Sequence, residues 1–333
     1  MNKQNNSCEK AKEKKIIHNQ KWIALFFVFA FVFLVWIYVI FNLSNLFKYF
    51  LTSTLFLLFL YGTILVLKKE RLIREIRITF IDIDIFYALV GAIATYTLTR
   101  TLPISNIISS ASIGLIGYVL FKKNSFAIYC GSFVGMTSSD LFNYYQLLLA
   151  GVVCGFVFVV VKQILNGYGG RLGTIAFIST AIIALFFNKT SLIVEQNYSI
   201  LLVFIASILG VTITFLIHNN LKQSVILASV IPSLLIAIII EIFFKNLMVY
   251  SAVFFTASFL GMADNKNISN ILSALFAGVV MSIIFLSFFN FFNGFGGKMG
   301  MSAFVSLVIY LAIKDIINRV KSTKKTERLE VVF

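Results

Sequence analysis

Apolar residues in this chain come in long unbroken runs, separated by short polar breaks. The first two, at 22–43 and 46–67, are each long enough to cross a bilayer as a helix, since about 20 apolar residues cover a hydrocarbon core of about 30 Å. Only a short Asn/Ser turn separates them, which predicts a helical hairpin. A stretch at 68–77 follows in which Leu72, Ile73 and Ile76 alternate with charges, the pattern of a short helix lying in the membrane interface. Further runs then lie at about 80–98, 105–121, 126–139, 143–165 and 174–188. Five more come at about 198–217, 224–243, 247–262, 270–292 and 301–316.

These ten runs read as one series of five written twice. Asn166-Gly167-Tyr168-Gly169-Gly170-Arg171-Leu172-Gly173 returns 127 residues later as Asn293-Gly294-Phe295-Gly296-Gly297-Lys298-Met299-Gly300, and each mismatch keeps its chemistry. Ser132-Phe133-Val134-Gly135-Met136 returns as Ser258-Phe259-Leu260-Gly261-Met262. Earlier in each series, Gly91, Ser105 and Ser110 answer to Gly210, Ser224 and Ser229. The expected organisation is a basic cytoplasmic tail at 1–21, a hairpin with its interfacial segment at 22–78, repeat one at 79–188, repeat two at 198–316, and a basic cytoplasmic tail at 317–333.

The third run of each series is short and rich in small or polar residues, which membrane depth tolerates only where protein or water surrounds them. If it crosses, the chain has 12 spans and the second copy is inverted. If it re-enters, there are 10 spans and parallel copies. Inverted repeats commonly build a site near the bilayer midplane, which favours twelve. The expected fold is therefore an all-α polytopic membrane protein, with about 12 (alternatively 10) transmembrane helices and an internal duplication of a five-element unit containing a short or re-entrant helix.

Composition agrees with lipid as the solvent: 59% of residues are hydrophobic and 12% charged, with a mean hydropathy of +0.95. The formal charge of +15 suggests nucleic acid until its location is seen. Of the 28 Lys and Arg residues, 17 fall in residues 1–21, 68–77 and 314–328, the flanks of apolar runs. This is the positive-inside pattern of cytoplasmic segments, so nucleic-acid binding is not expected and a multi-pass cell-membrane protein with both termini in the cytoplasm is. Cys8, Cys130 and Cys154 form no CxxC, and His18 and His218 are the only histidines. No metal site, disulfide framework or cofactor-binding pattern follows.

Two sets of residues are candidates for contact with a solute. Glycines 167, 169 and 170, with Gly294, Gly296 and Gly297, precede a helical run, so backbone N–H groups can converge on an anion. Arg171 and Lys298 supply a cation at the matching place. The competing reading makes these glycines tight turns and helix contacts. Ser132, Gly135, Thr137 and Ser138, with Ser258, Gly261 and Asp264, can line a path with hydroxyls and exposed backbone, or pack helices closely.

Among the acids, Asp82 and Asp84 lie two apart and point apart on a helix, so an interfacial pairing with the basic run ending at Arg77 is expected. Glu241 suits an ion pair with Lys245 one turn on. Pro232 should kink or break its helix, and His218 should sit at the interface. No hydrolase, kinase, P-loop or zincin motif is present, and no catalytic residue is assigned. The expectation is an integral membrane permease, a secondary transporter or channel, moving a small anionic solute between two homologous halves. The alternative is a non-transporting scaffold or subunit of a membrane complex; a lipid-acting enzyme lacks an evident base.

Overall fold

The computed structural model describes residues 2–43, 45–71, 82–193 and 197–330, the side chains of 2–20 and 324–330 excepted. It is all-helical, with no strand among the described residues. Among the described residues, seven helices are long and apolar enough to cross a membrane.

The amino-terminal hairpin is α1 (Asn2–Phe41) and α2 (Leu46–Arg71). The first series then reads α3 (Asp84–Thr101), α4 (Asn106–Leu120), α5 (Ser125–Gly135), α6 (Tyr144–Val161) and α7 (Arg171–Phe186). The second reads α8 (Ile200–Phe215), α9 (Val225–Phe243), α10 (Met248–Gly261), α11 (Ile271–Phe288) and α12 (Lys298–Glu330). Two helices run on into the basic tails: α1 is unbroken from Asn2, and α12 carries its helix through the 317–330 stretch. Residues 68–71 continue α2, and the rest of the expected interfacial helix lies outside the described residues.

Caps recur at matching places. Ser105 accepts from Ile108 N at the start of α4, and Ser224 from Leu227 N at the start of α9. Asn143 caps α6 through Gln146 N, and Asn270 caps α11 through Ser273 N. Each oxygen satisfies one of the N–H groups that a helix start leaves without a partner.

Small residues set the packing. A methyl added to Gly131 or Gly135 would collide with α3, and one on Gly210 or Gly261 would close the same gap between α8 and α10. The short α5 joins the two ends of its neighbours. Near its start, Asn124 Nδ2 donates to Asp84 Oδ1 at the beginning of α3 (2.7 Å); just past its end, Met136 O accepts from Asn106 Nδ2 at the beginning of α4 (3.1 Å). Pro232 sits within α9, which continues through it as one helix rather than breaking.

Two helix pairs run antiparallel across the middle of the molecule. Glu241, near the end of α9, accepts from Ser105 N at the start of α4, at 3.1 and 3.2 Å from its two oxygens, instead of pairing with Lys245. At the second crossing, Gly170 abuts Ala303 and Phe304, Gly173 abuts Gly300, and Phe177 abuts Gly297, so α7 and α12 pass in opposite directions with their glycines in backbone contact. The hairpin packs on this crossing through aromatic rings: Phe29 on Phe304 (5.9 Å), Phe31 on Phe177 (5.9 Å) and Trp36 on Phe288 (5.1 Å).

Candidate functional site

Each glycine loop turns through two left-handed residues, Gly167 and Gly170 at φ 80° and 81°, and Gly294 and Gly297 at φ 87° and 81°. A side chain is strained at such angles, which is why glycine recurs there. The turn delivers the chain into α7 at Arg171 and into α12 at Lys298.

The two cations do not point outward at a solute. Arg171 Nη1 donates to Lys162 O (3.0 Å), Ile164 O (2.8 Å) and Asn166 Oδ1 (2.5 Å). Lys298 Nζ donates to Phe289 O (2.9 Å) and Asn293 Oδ1 (2.6 Å). In both loops the cation thus closes the carbonyl end of the helix before it, α6 or α11, and ties it to the asparagine that opens the motif. Helix ends leave carbonyls without partners, and their partial negative charge attracts a cation.

The loops are exchanged between the two series. Gly294 O accepts from Ser138 N (2.9 Å) and Gly296 N donates to Thr137 Oγ1 (3.2 Å), so the second loop seats on the turn after α5. Gly167 O accepts from Asp264 N (3.1 Å) and from Asn267 Nδ2 (2.7 Å), so the first loop seats on the turn after α10. Asn267 is itself a junction, accepting from Lys69 Nζ of the hairpin at its side chain (2.8 Å) and from Lys314 Nζ at its carbonyl (3.2 Å).

A cavity lies beside each loop. One, of about 200 Å³, is lined by Gly294, Gly297, Lys298, Gly300, Ser302 and Asn106 among others. The second, of about 130 Å³, is lined by Gly167, Gly169, Gly170, Arg171, Gly173 and Asp264 among others. Phe133 and Phe259 line both. Their rings stand 4.9 Å apart, flanked by Tyr129 and Phe255 at 4.5 Å from Phe133 and Phe259 respectively, and the diagonal pairs Tyr129–Phe259 and Phe133–Phe255 are both at 6.3 Å. Phe133 and Phe259, the two rings common to both linings, are the wall between the two cavities, and Tyr129 and Phe255 pack behind them.

The remaining candidates divide. Thr137 and Ser138 line a third, more polar cavity of about 300 Å³, together with Tyr96, Thr99, Arg100, Asn106 and Ser139. Ser132 and Ser258 line none of these three cavities. Both are fully buried, Ser132 bonded to Ser110 (2.9 Å) and Ser258 to Ser229 (2.7 Å), so they serve helix contact. Gly135 and Gly261 likewise pack on α3 and α8.

Asp82 and Asp84 correct the expectation most directly, since Lys162 Nζ bonds both, the second at 3.1 Å. Asp82 precedes the first residue of α3, so the helical angle between the two positions does not apply. Lys162's hydrogen bond holds the Asp82 carboxyl below its ordinary value of 3.8. The end of the basic run named as their partner, with Arg74 and Arg77, lies outside the described residues. His218 sits in the π-turn Leu216–Asn220, its Nδ1 3.0 Å from Gln223 O.

Phe133, Phe259, Asn106 and Arg100 were not singled out from sequence. The two phenylalanines stand inside the repeated Ser-Phe-x-Gly-Met, so the signal was present. Asn106 and Arg100 have no such mark.

The fold and its apolar surface define the class: an all-helical, multi-pass integral membrane protein whose outer helices present side chains such as Leu201, Leu235 and Phe243 to lipid. Comparison with protein-family models, curated proteins and solved structures found no match to the chain.

Proposed function

We propose that the protein is a membrane permease, not an enzyme, carrying a small anionic solute between two inverted copies of a five-element unit. The observation that carries this reading is the pair of cavities, one beside each glycine loop, meeting at the Phe133/Phe259 wall. Around that wall the contacts come in matched pairs: Tyr129–Phe259 with Phe133–Phe255, Ser138–Gly294 with Asp264–Gly167, Ser110–Ser132 with Ser229–Ser258. Within each matched pair, the corresponding residues lie 119, 126 or 127 positions apart in the two series. Together with the antiparallel crossings of α4 on α9 and α7 on α12, they support a twofold axis through Gly173 and Gly300. Such an axis inverts the second copy. With α5 and α10 each running from one edge of its unit to the other, this reading counts twelve crossings.

An anion is the preferred cargo because each cavity is faced by the start of a helix, α7 or α12, where aligned peptide dipoles and free N–H groups favour negative charge. Gly170 offers no side chain to cap that start. Arg171 and Lys298 act here by holding the loops in place while adding positive potential to the cavity walls.

Replacing both cations with Gln tests the reading in reconstituted vesicles. Loss of anion flux in the double variant, with the protein still inserted and monodisperse, is expected. Unaltered flux removes Arg171 and Lys298 from the mechanism. A wild-type protein that moves no anion in this assay leaves the scaffold reading standing instead.

A further inference from the structure

We propose that Arg100 forms an oxyanion-collecting site at one mouth of the pathway, so that the two mouths are chemically unequal. This rests on the permease reading and names its substrate class: small solutes that present a carboxylate or phosphate group. Arg100 stands in the last turn of α3, its guanidinium 5.2 Å from the Tyr96 ring and 5.3 Å from the Tyr144 ring. Both rings are anchored. Tyr96 donates to Phe142 O, Tyr144 Oη donates to Thr97 Oγ1 (3.4 Å), and the two rings meet edge to face at 5.0 Å.

The cation lies over both rings, which engage it without hydrogen-bonding its N–H groups. No hydrogen bond or ion pair engages the guanidinium's N–H edge among the described residues. The edge borders the polar cavity of about 300 Å³, whose remaining wall is the hydroxyls of Thr99, Thr137, Ser138 and Ser139 and the amide of Asn106. A planar fork of donors matches the paired oxygens of a carboxylate or phosphate, which a spherical ion does not offer; Thr99 and Thr137 beside it already donate to Thr95 O and Val134 O, so the guanidinium carries the recognition. Asp140 is the acid at this mouth, and its Oδ2 accepts from Ser138 Oγ (3.3 Å).

Asn106 also lines the 200 Å³ cavity beside Lys298, so the mouth opens toward the second glycine loop. At the other mouth the position 119 residues on is Asn219, and Ser138 is answered by Asp264. At this pair of matched positions the guanidinium is therefore on one side only, and an oxyanion approaching from that side meets it first.

The experiment uses full-length protein in vesicles, sorted for orientation, with radiolabelled pyruvate and inorganic phosphate as probes and chloride as the spherical control. Arg100→Gln is expected to raise KM for either oxyanion about tenfold from the Arg100 face and to leave KM from the opposite face unchanged, the values of kcat shifting so that kcat/KM stays equal from both faces. Arg100→Lys should fall between, because it keeps the charge and loses the fork. A response by pyruvate alone or phosphate alone tells which group the site takes. In parallel, either oxyanion should raise the thermal stability of wild type in detergent and not that of Arg100→Gln.

A cation serving only the end of α3 would lower stability in Arg100→Gln and leave KM alone, which overturns the proposal. Equal KM shifts for chloride, or from both faces, also overturn it. Oxyanion stabilisation without any flux keeps the site and removes the permease reading; flux that ignores Arg100 does the reverse.

Discussion

Removing one ring from the wall between the cavities should turn a closed pathway into a leaking one. Phe133 and Phe259 are each 2% exposed, and each faces both the 200 Å³ and the 130 Å³ cavity. Phe133→Ala would join these spaces, because the only ring left across the gap is Phe259. Truncating a buried phenylalanine costs about 3–5 kcal/mol. The lower part of that range is expected here, since the ring already borders empty space on two sides.

The ring contacts allow a second check. Phe133 and Phe259 share one aromatic contact worth about 0.5–1.5 kcal/mol, so the double variant should fall short of the summed single costs by about that amount. An apolar constriction opposes a charged solute by desolvation, and each 1.4 kcal/mol taken from that barrier speeds passage about tenfold. Anion efflux from vesicles loaded with a fluorescent reporter, read beside thermal unfolding in detergent, measures both effects. The account predicts faster and less selective efflux for Phe133→Ala and for Phe259→Ala. Folded single and double variants that leak no faster than wild type would refute the idea that these rings close a pathway.

Two further outcomes follow from the packing. Gly173→Ala places a methyl against the Gly300 backbone, which cannot move aside as a side chain can, so a loss of about 1–3 kcal/mol in thermal unfolding is expected; Gly300→Ala should match it. Asp82 is depressed by Lys162, so its contribution to stability is complete above about pH 4 and is lost as the pH falls below 3.8 through the lowered folded value. Asp82→Asn should therefore be less stable than wild type at neutral pH and should lose part of the acid-induced fall in a pH series of unfolding midpoints.

Much of the architecture was legible in the chain. The apolar runs marked α2 to α11 to within about four residues at either end, and Ser105, Ser224, Asn143 and Asn270 marked starts that the structure caps with those side chains. The site was half legible. Repetition singled out the glycine loops, but the direction of Arg171 and Lys298 depended on the carbonyls at the ends of α6 and α11, which a linear reading treats as already satisfied.

The same limit explains the acids. Asp82 and Asp84 were separated by assuming a helix that begins only at Asp84, and Glu241 was given the nearest cation in sequence while Ser105 N lies closer in space. Phe133 and Phe259 looked like ordinary apolar residues of a short run. Only the meeting of α5 with α10 makes them a wall, and no pattern within either run encodes that meeting.

The inverted relation of the two copies is the claim on which the rest depends, and sided labelling of single cysteines tests it most directly. Gln163 and Asn290 follow α6 and α11, lie 127 residues apart, and are both exposed. In a background lacking the native cysteines, a membrane-impermeant thiol reagent should label Gln163→Cys from one face of the membrane and Asn290→Cys from the other. Labelling of both from the same face would make the copies parallel and contradict the account.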